Sequence, residues 1–523
     1  VGDTMVEDGR PSGARPLGKA ALVVGAGALV GFAAEFHALG WTSIPGNSCG
    51  GRYRPCPEGT TPTLVLAFAL TFVGCVALTA ALAAFTRIRP GKAVPGALAA
   101  AGVLVALWPG WQAYLWMRGP VLDPVWQAGP DRPASVRGAG AWAVGDDAET
   151  VVRARTDALV AYDSGTGDRR WVLRAPVRTS VCAMSDRIVD GVGLVSFARH
   201  EKPCGTVWGV DVRSGRKLWE RRISGPAPAY GEGGDGLLAA DAGVAVALAG
   251  QAVHGYGLDD GAARWTVKLP AAAGAGGGDD APCEPVRASA AGGTTRVVVT
   301  CGGYDGFHSA RILTLDNATG KELSRRALPV ESRPSTVTVV RADPFVLLVQ
   351  EEDERGLAAV LSYGAPDDMR KEPVTIPLTA DEEDLAVITT YPLSFPARPV
   401  PWAVVDGDNL VVAAKKPGAD SVERVSAYAL DDGRRLWHAD LGAGVVALAP
   451  AGRDRVAVLG DTERLWTFAA GDGARVGEED GIMLRDVDTR IGTGAQLLRA
   501  GDGWVVVNGD DDGGRPPALA VSP

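Results

Sequence analysis

Two hydrophobic patterns divide the chain. The first 118 residues carry three unbroken apolar runs, at 20–41, 62–85 and 94–117, with Glu35 and His37 the only readily ionisable side chains inside them. Runs of 22 to 24 residues are long enough to cross a hydrocarbon core of ~30 Å as helices. A signal peptide would leave one run and a small-residue cleavage site, so three runs predict three transmembrane helices. Beyond residue 119 the apolar stretches shorten to strand length and alternate with polar turns. The pattern predicts a cytoplasmic tail (1–19), an all-α membrane domain (20–118) and an all-β domain (119–523).

The all-β part repeats one phrase. Ala-Tyr-Asp-Ser-Gly-Thr-Gly-Asp-Arg-Arg-Trp ends at Trp171, and phrases of the same form end at Trp219, Trp265 and Trp437. Each reads as strand, tight turn, strand, with a glycine (Gly167, Gly215, Gly261, Gly433) supplying the turn. The tryptophan four residues later lies where its apolar face can dock between neighbouring sheets. Degenerate copies occur around Gly320, Tyr363 and Gly473, with Ser324 in the tryptophan position of the first. A period of 40 to 50 residues marks a propeller or solenoid.

An eighth unit is split between the two ends of this region. Residues 495–523 give three strands without a tryptophan strand, whereas Trp126 stands on a strand with no three before it, 45 residues ahead of Trp171. The expected fold is therefore an eight-bladed propeller closed by the N-terminal strand around Trp126, which removes the open edges of an unclosed array. Two long intervals read as loop insertions: a glycine-rich stretch at 271–280, and the segment from Pro373 to Pro401 with its acidic 381–384 run, Tyr391 and Phe395. The latter is the expected partner-contact site, since insertions on a rigid scaffold often carry binding.

Charge sets the orientation. Arg10, Arg15 and Lys19 precede the first run, and Arg87, Arg89 and Lys92 lie between the second and third. The positive-inside rule places both segments in the cytoplasm and the propeller outside. Trp108, Trp111, Tyr114 and Trp116 crowd the end of the third run as an interfacial belt would. Six of the seven cysteines then fall outside as local pairs: Cys49–Cys56, Cys182–Cys204 and Cys283–Cys301. The last pair flanks a hairpin turn at 291–294, and Cys182 and Cys204 straddle a turn at 190–193. Disulfides there require an oxidising compartment. Cys75, inside the second span, reads as a lone buried thiol.

Residues 119–523 hold 43 basic and 57 acidic side chains, a net of −14, which argues against nucleic acid as a partner. The lipid bilayer is the expected partner of the first 118 residues. Gly25, Gly27 and Gly31 sit inside an apolar span and read as helix-packing positions, not as a nucleotide loop. Glu35 and His37 are the intramembrane candidates for a proton or ion role. The acidic turns at 406–409 and 510–514 lack the ligand spacing of a calcium loop. The five histidines are scattered, and none pairs with a cysteine at zinc spacing. No metal, cofactor or catalytic set is expected from these residues.

The phrase Ala-x-Asp-x-x-(Ser/Thr/Asp)-Gly-x-x-x-Trp resembles the docking repeat of pyrroloquinoline-quinone-like eight-bladed propellers. That superfamily includes quinoprotein dehydrogenases, a propeller lipoprotein of outer-membrane assembly and sensor domains of membrane kinases. The dehydrogenases imply a calcium-bound quinone and, in many members, a vicinal cysteine pair; this chain has no adjacent cysteines. Three readings stay open. The first is a non-catalytic binding or scaffold module for a protein or envelope ligand. The others are a quinone-dependent membrane dehydrogenase and a ligand sensor coupled to the helices.

Overall fold

The computed structural model describes residues 14–42, 44, 59–86, 93–119, 121–131, 140–144, 148–199, 202–223, 237–269, 282–303, 306–353, 355–365, 372–380, 382–386, 400–477, 481–484, 491–492, 494–509 and 516–522. It divides into two compact units, Val1–Val121 and Leu122–Pro523.

The first unit contains three helices, α1 (Ala14–Thr42), α2 (Thr60–Thr86) and α3 (Ala93–Arg118). Stretches of each are long and apolar enough to span a membrane: Ala20–Thr42, Thr60–Ala84 and Val94–Arg118. Phe72, Leu104 and Trp116 are largely exposed on their surface, as lipid-facing side chains would be. Small residues let the backbones meet. Gly27 faces the Ala99 backbone and Gly31 the Val103 backbone on α3, while Gly102 of α3 lies against Val24 of α1. On α2, Gly74 meets the α1 backbone at Leu29 and Val30. Gly25 faces open space and takes no part.

The second unit is an eight-bladed β-propeller. Seven blades run consecutively, at residues 141–174, 180–222, 238–268, 283–327, 334–377, 403–440 and 445–484. The eighth takes three strands from residues 496–522 and its fourth, Val121–Gln127, from the start of the domain. That closing strand pairs antiparallel with Ala518–Ser522, Trp126 opposite Ala520. The expected ring closure is thus present as backbone hydrogen bonds.

Strand burial follows position in the blade. The second and third strands are covered on both faces, so Val244–Ala249 is buried throughout. The fourth strands are half exposed, as in Arg169–Arg174. Such double-sided burial explains why the inner strands read as continuous apolar runs. The first strands pack successively against one another around the axis, 238–241 on 283–291 and that strand on 334–341.

Candidate functional site

The recurring turn is a five-residue loop. Its glycine N–H donates to the carbonyl four residues back: Gly167 to Asp163, Gly215 to Asp211, Gly261 to Gly257, Gly320 to Asp316, Gly433 to Ala429 and Gly473 to Ala469. The closing glycines have φ between 62° and 76°, the left-handed region. Where the fourth residue back is aspartate, its carboxylate accepts further N–H groups, as Asp163 does from Gly165 and Thr166. In Asp163 the side-chain bond from Arg170, followed by those turn bonds, holds the carboxyl below its usual range.

A second constraint acts on the same glycines, and it comes from the preceding blade. The ring of Trp126 covers Gly167, Trp171 covers Gly215, Trp219 covers Gly261, Trp265 covers Gly320 and Trp437 covers Gly473. A Cβ at Gly167 would stand 2.5 Å from the Trp126 ring, and one at Gly320 2.7 Å from Trp265. The indole N–H groups of Trp126, Trp219, Trp265 and Trp437 donate to Ser164, Leu258, Asn317 and Ala470 carbonyls at 2.6 to 2.9 Å, always three residues before the covered glycine. Within their own blades Trp171, Trp219, Trp265 and Trp437 are paired with the small residues Ala161, Gly209, Gly255 and Ala427, and the Trp219 and Trp265 rings lie directly over Gly209 and Gly255. Every described tryptophan of the repeat is therefore occupied in joining blades. Gly433, which follows a fourth strand without tryptophan, is covered by Val374 and Ile376.

Two cysteine pairs are at disulfide distance. Cys283 and Cys301 are opposed residues of one hairpin, with an S–S distance of 2.00 Å and the turn at Gly292 and Gly293. Cys182 and Cys204 are bonded at 2.16 Å, but not across the expected hairpin. The turn does lie at 190–191, yet the second strand runs on to Ala198, and Cys204 follows it in the loop to the third strand. It returns to Cys182, which sits at a bulge between Val181 and Ala183. Cys49 and Cys56 lie outside the described residues. Cys75 is exposed, which corrects the buried reading. It is next to Gly74, and because Gly74 takes the α1 contact, Cys75 faces outward.

Glu35 and His37 do not meet. The Glu35 carboxylate is directed at Gly110 of α3, one residue past Pro109. His37 turns to α2, where its Nε2 lies 3.1 Å from the Thr71 hydroxyl, which itself donates to the Ala67 carbonyl. Two residues apart on a helix point about 200° apart around the axis, so the separation follows from helix geometry.

The segment from Pro373 to Pro401 is only partly an insertion. Val374–Pro377 is the fourth strand of the fifth blade, and Thr379–Ala380 with Glu383–Leu385 forms a short hairpin that extends the sixth. Glu383 is 1% exposed. It accepts hydrogen bonds from Ser426 (2.6 Å), from Tyr428, and from Arg424 (3.3 Å). Burial alone would push this carboxyl up; the Ser426 and Tyr428 bonds and the charge of Arg435 outweigh it and hold the group below the usual range. The acidic run thus supplies a structural anchor. Tyr391 and Phe395 lie outside the described residues, as do 271–280 and 510–514. The turn at 406–409 is a plain hairpin, Asp406 opposite Asn409.

Sequence reading passed over an axial cavity. It has a volume of about 350 Å³ and opens between the inner strands of the third to fifth blades and the loops after the first strands of the second and fifth. Ala239, Ala290, Val339 and Val400 form apolar wall; Asp186, Arg187, Ser289, Arg341 and Asp343 supply the polar groups. Arg187 is fixed across three blades, donating to the Ala240 and Ala290 carbonyls and to Asp241 at 3.1 Å. Asp186 lies within electrostatic reach of Arg287, whose guanidinium is pushed down to about 10 by burial against the opposing pull of that carboxylate. Ser289 is 2% exposed, and its hydroxyl has no hydrogen-bond partner among the described residues. No local motif announces these residues, because four blades and the segment ahead of the sixth contribute them.

The ring, its closure and its tryptophan repeat define an eight-bladed β-propeller, and three helices long and apolar enough to span a membrane precede it in the chain. Residues 122–365, from the closing strand into the fifth blade, match the family model described as outer membrane protein assembly factor BamB. No curated protein matches the chain. Among solved structures, the computationally designed Ika8 protein is 13% identical with a TM-score of 0.44, over 77% of this chain and 99% of its own. BamB from Moraxella catarrhalis is 14% identical with a TM-score of 0.32, over 76% and 95%. The Pan2 WD40 domain of Neurospora crassa is 8% identical with a TM-score of 0.37, over 77% and 94%.

Proposed function

We propose that the chain is a membrane-anchored, extracytoplasmic propeller that acts as a non-catalytic binding or scaffold module for a protein or envelope ligand. The match of residues 122–365 to the assembly-factor model carries this reading. The geometry supports it: the repeat tryptophans are spent on blade docking, which leaves none of them to stack on a cofactor. The positive-inside distribution of basic residues supports a cytoplasmic N-terminus and an external propeller, and the Cys182–Cys204 and Cys283–Cys301 disulfides fit an oxidising compartment.

Photo-crosslinkers at Val177 and Leu323, both well exposed on the propeller, test the binding role in intact cells. A discrete protein or envelope adduct that depends on an intact ring is expected. Dye reduction by the purified chain with added pyrroloquinoline quinone and calcium, together with no adduct at either position, would overturn the reading.

A further inference from the structure

We propose that the axial cavity binds a small zwitterion the size of a dipeptide, with short apolar side chains. The proposal rests on the propeller's own geometry and does not depend on the binding partner proposed above.

Charge balance around the cavity selects the ligand. Arg187 is committed to Asp241 and two carbonyls, and Asp186 faces the buried Arg287. Two charged groups remain, both exposed. The Nε of Arg341 donates to the backbone carbonyl of Asp343 at 3.0 Å, and no hydrogen bond engages its two terminal nitrogens among the described residues. Its charge also reaches Asp406 on the neighbouring blade. The Asp343 carboxylate likewise has no hydrogen bond or ion pair among the described residues, and the two side chains do not pair with each other.

A simple anion would meet Arg341 but also the carboxylate of Asp343. A simple cation would meet the reverse. A molecule with a carboxylate at one end and an ammonium at the other satisfies both, with charge-assisted hydrogen bonds at each end. The buried, unpartnered hydroxyl of Ser289 gives a further polar contact at depth. Alanine and valine walls leave room for methyl-sized side chains, and about 350 Å³ lies at the small end of ligand-site volumes.

Calorimetric titration of the full chain in detergent tests this with three probes. These are L-alanyl-L-alanine, N-acetyl-L-alanine, which lacks the ammonium, and L-alaninamide, which lacks the carboxylate. Saturable binding of the dipeptide is expected, with each blocked analogue at least tenfold weaker. Arg341→Gln should weaken the dipeptide about tenfold and leave alaninamide unchanged, and Asp343→Asn should weaken the dipeptide and leave N-acetyl-alanine unchanged. Both positions are exposed, so thermal unfolding should not move. No saturable binding of the dipeptide overturns the proposal. So does N-acetyl-alanine binding as tightly as the dipeptide, or dipeptide affinity unaffected by both substitutions.

Discussion

At the scale of single residues, the turn glycines answer to two constraints that can be separated. Gly191 and Gly215 have φ of 78° and 70°, but only Gly215 lies under an indole ring, while nothing stands within 4 Å of a Cβ at Gly191. Gly191→Ala should therefore cost only the left-handed backbone term, about 1 kcal/mol. Gly215→Ala should cost about 2–4 kcal/mol, because the Trp171 ring must also move. Urea unfolding of the two variants measures the difference, and equal costs would show that the ring does not constrain the turn. Trp219→Ala should cost about 3–5 kcal/mol by the same assay.

Glu383 makes a pH prediction at this scale. Its folded carboxyl is held below the ordinary range, so its contribution to stability is present at neutral pH and is lost as pH falls through the folded value. Glu383→Gln should cost about 2–3 kcal/mol at pH 7. The gap from the parent chain should narrow as the pH is lowered. A gap that widens in acid would place the folded carboxyl above the usual range. The acidic run around Glu383 was legible only as surface charge, since the partners that bury it come from a strand 41 to 45 residues later.

Among elements, the hairpins were the most legible part of the chain. The 283–301 pair could be placed because both cysteines lie on the two strands of one turn, at equal distance from it. The same rule misplaced the detail of Cys204. A strand of seven residues consumed only part of the interval, and the remainder is loop. Strand length in a blade is set by the neighbouring strands it must cover, which no local pattern states. Removing the Cys283–Cys301 bond with a double serine variant should cost about 3 kcal/mol, given a closed loop of 18 residues. Helix packing was legible in kind at Gly27 and Gly31 but not in detail. Which glycine of the set faces open space depends on the crossing partner. Gly27→Leu should force α1 from α3 and lower the thermal unfolding midpoint of the helices in detergent, while Gly25→Leu should leave it unchanged. An unchanged midpoint in both variants would contradict the packing.

For the whole molecule, the blade number was legible from the repeated turn phrases and the split eighth unit; tryptophan rings join five of the blade pairs, and Trp126 is the join between the last blade and the first. The axial cavity was not legible at all. Its residues are separated by up to 214 positions and share no spacing, and only ring closure brings Asp186 and Val400 to one surface. The proposed topology puts the propeller on the extracytoplasmic side of three membrane helices. Alkylation by a membrane-impermeant maleimide tests it most directly, using chains without Cys75 that carry either Val177→Cys on the propeller or Ser12→Cys in the tail. In intact cells labelling is expected at position 177, which is 89% exposed, and none at position 12 until the membrane is opened. Labelling at 12 with protection at 177 would place the propeller in the cytoplasm and contradict the account.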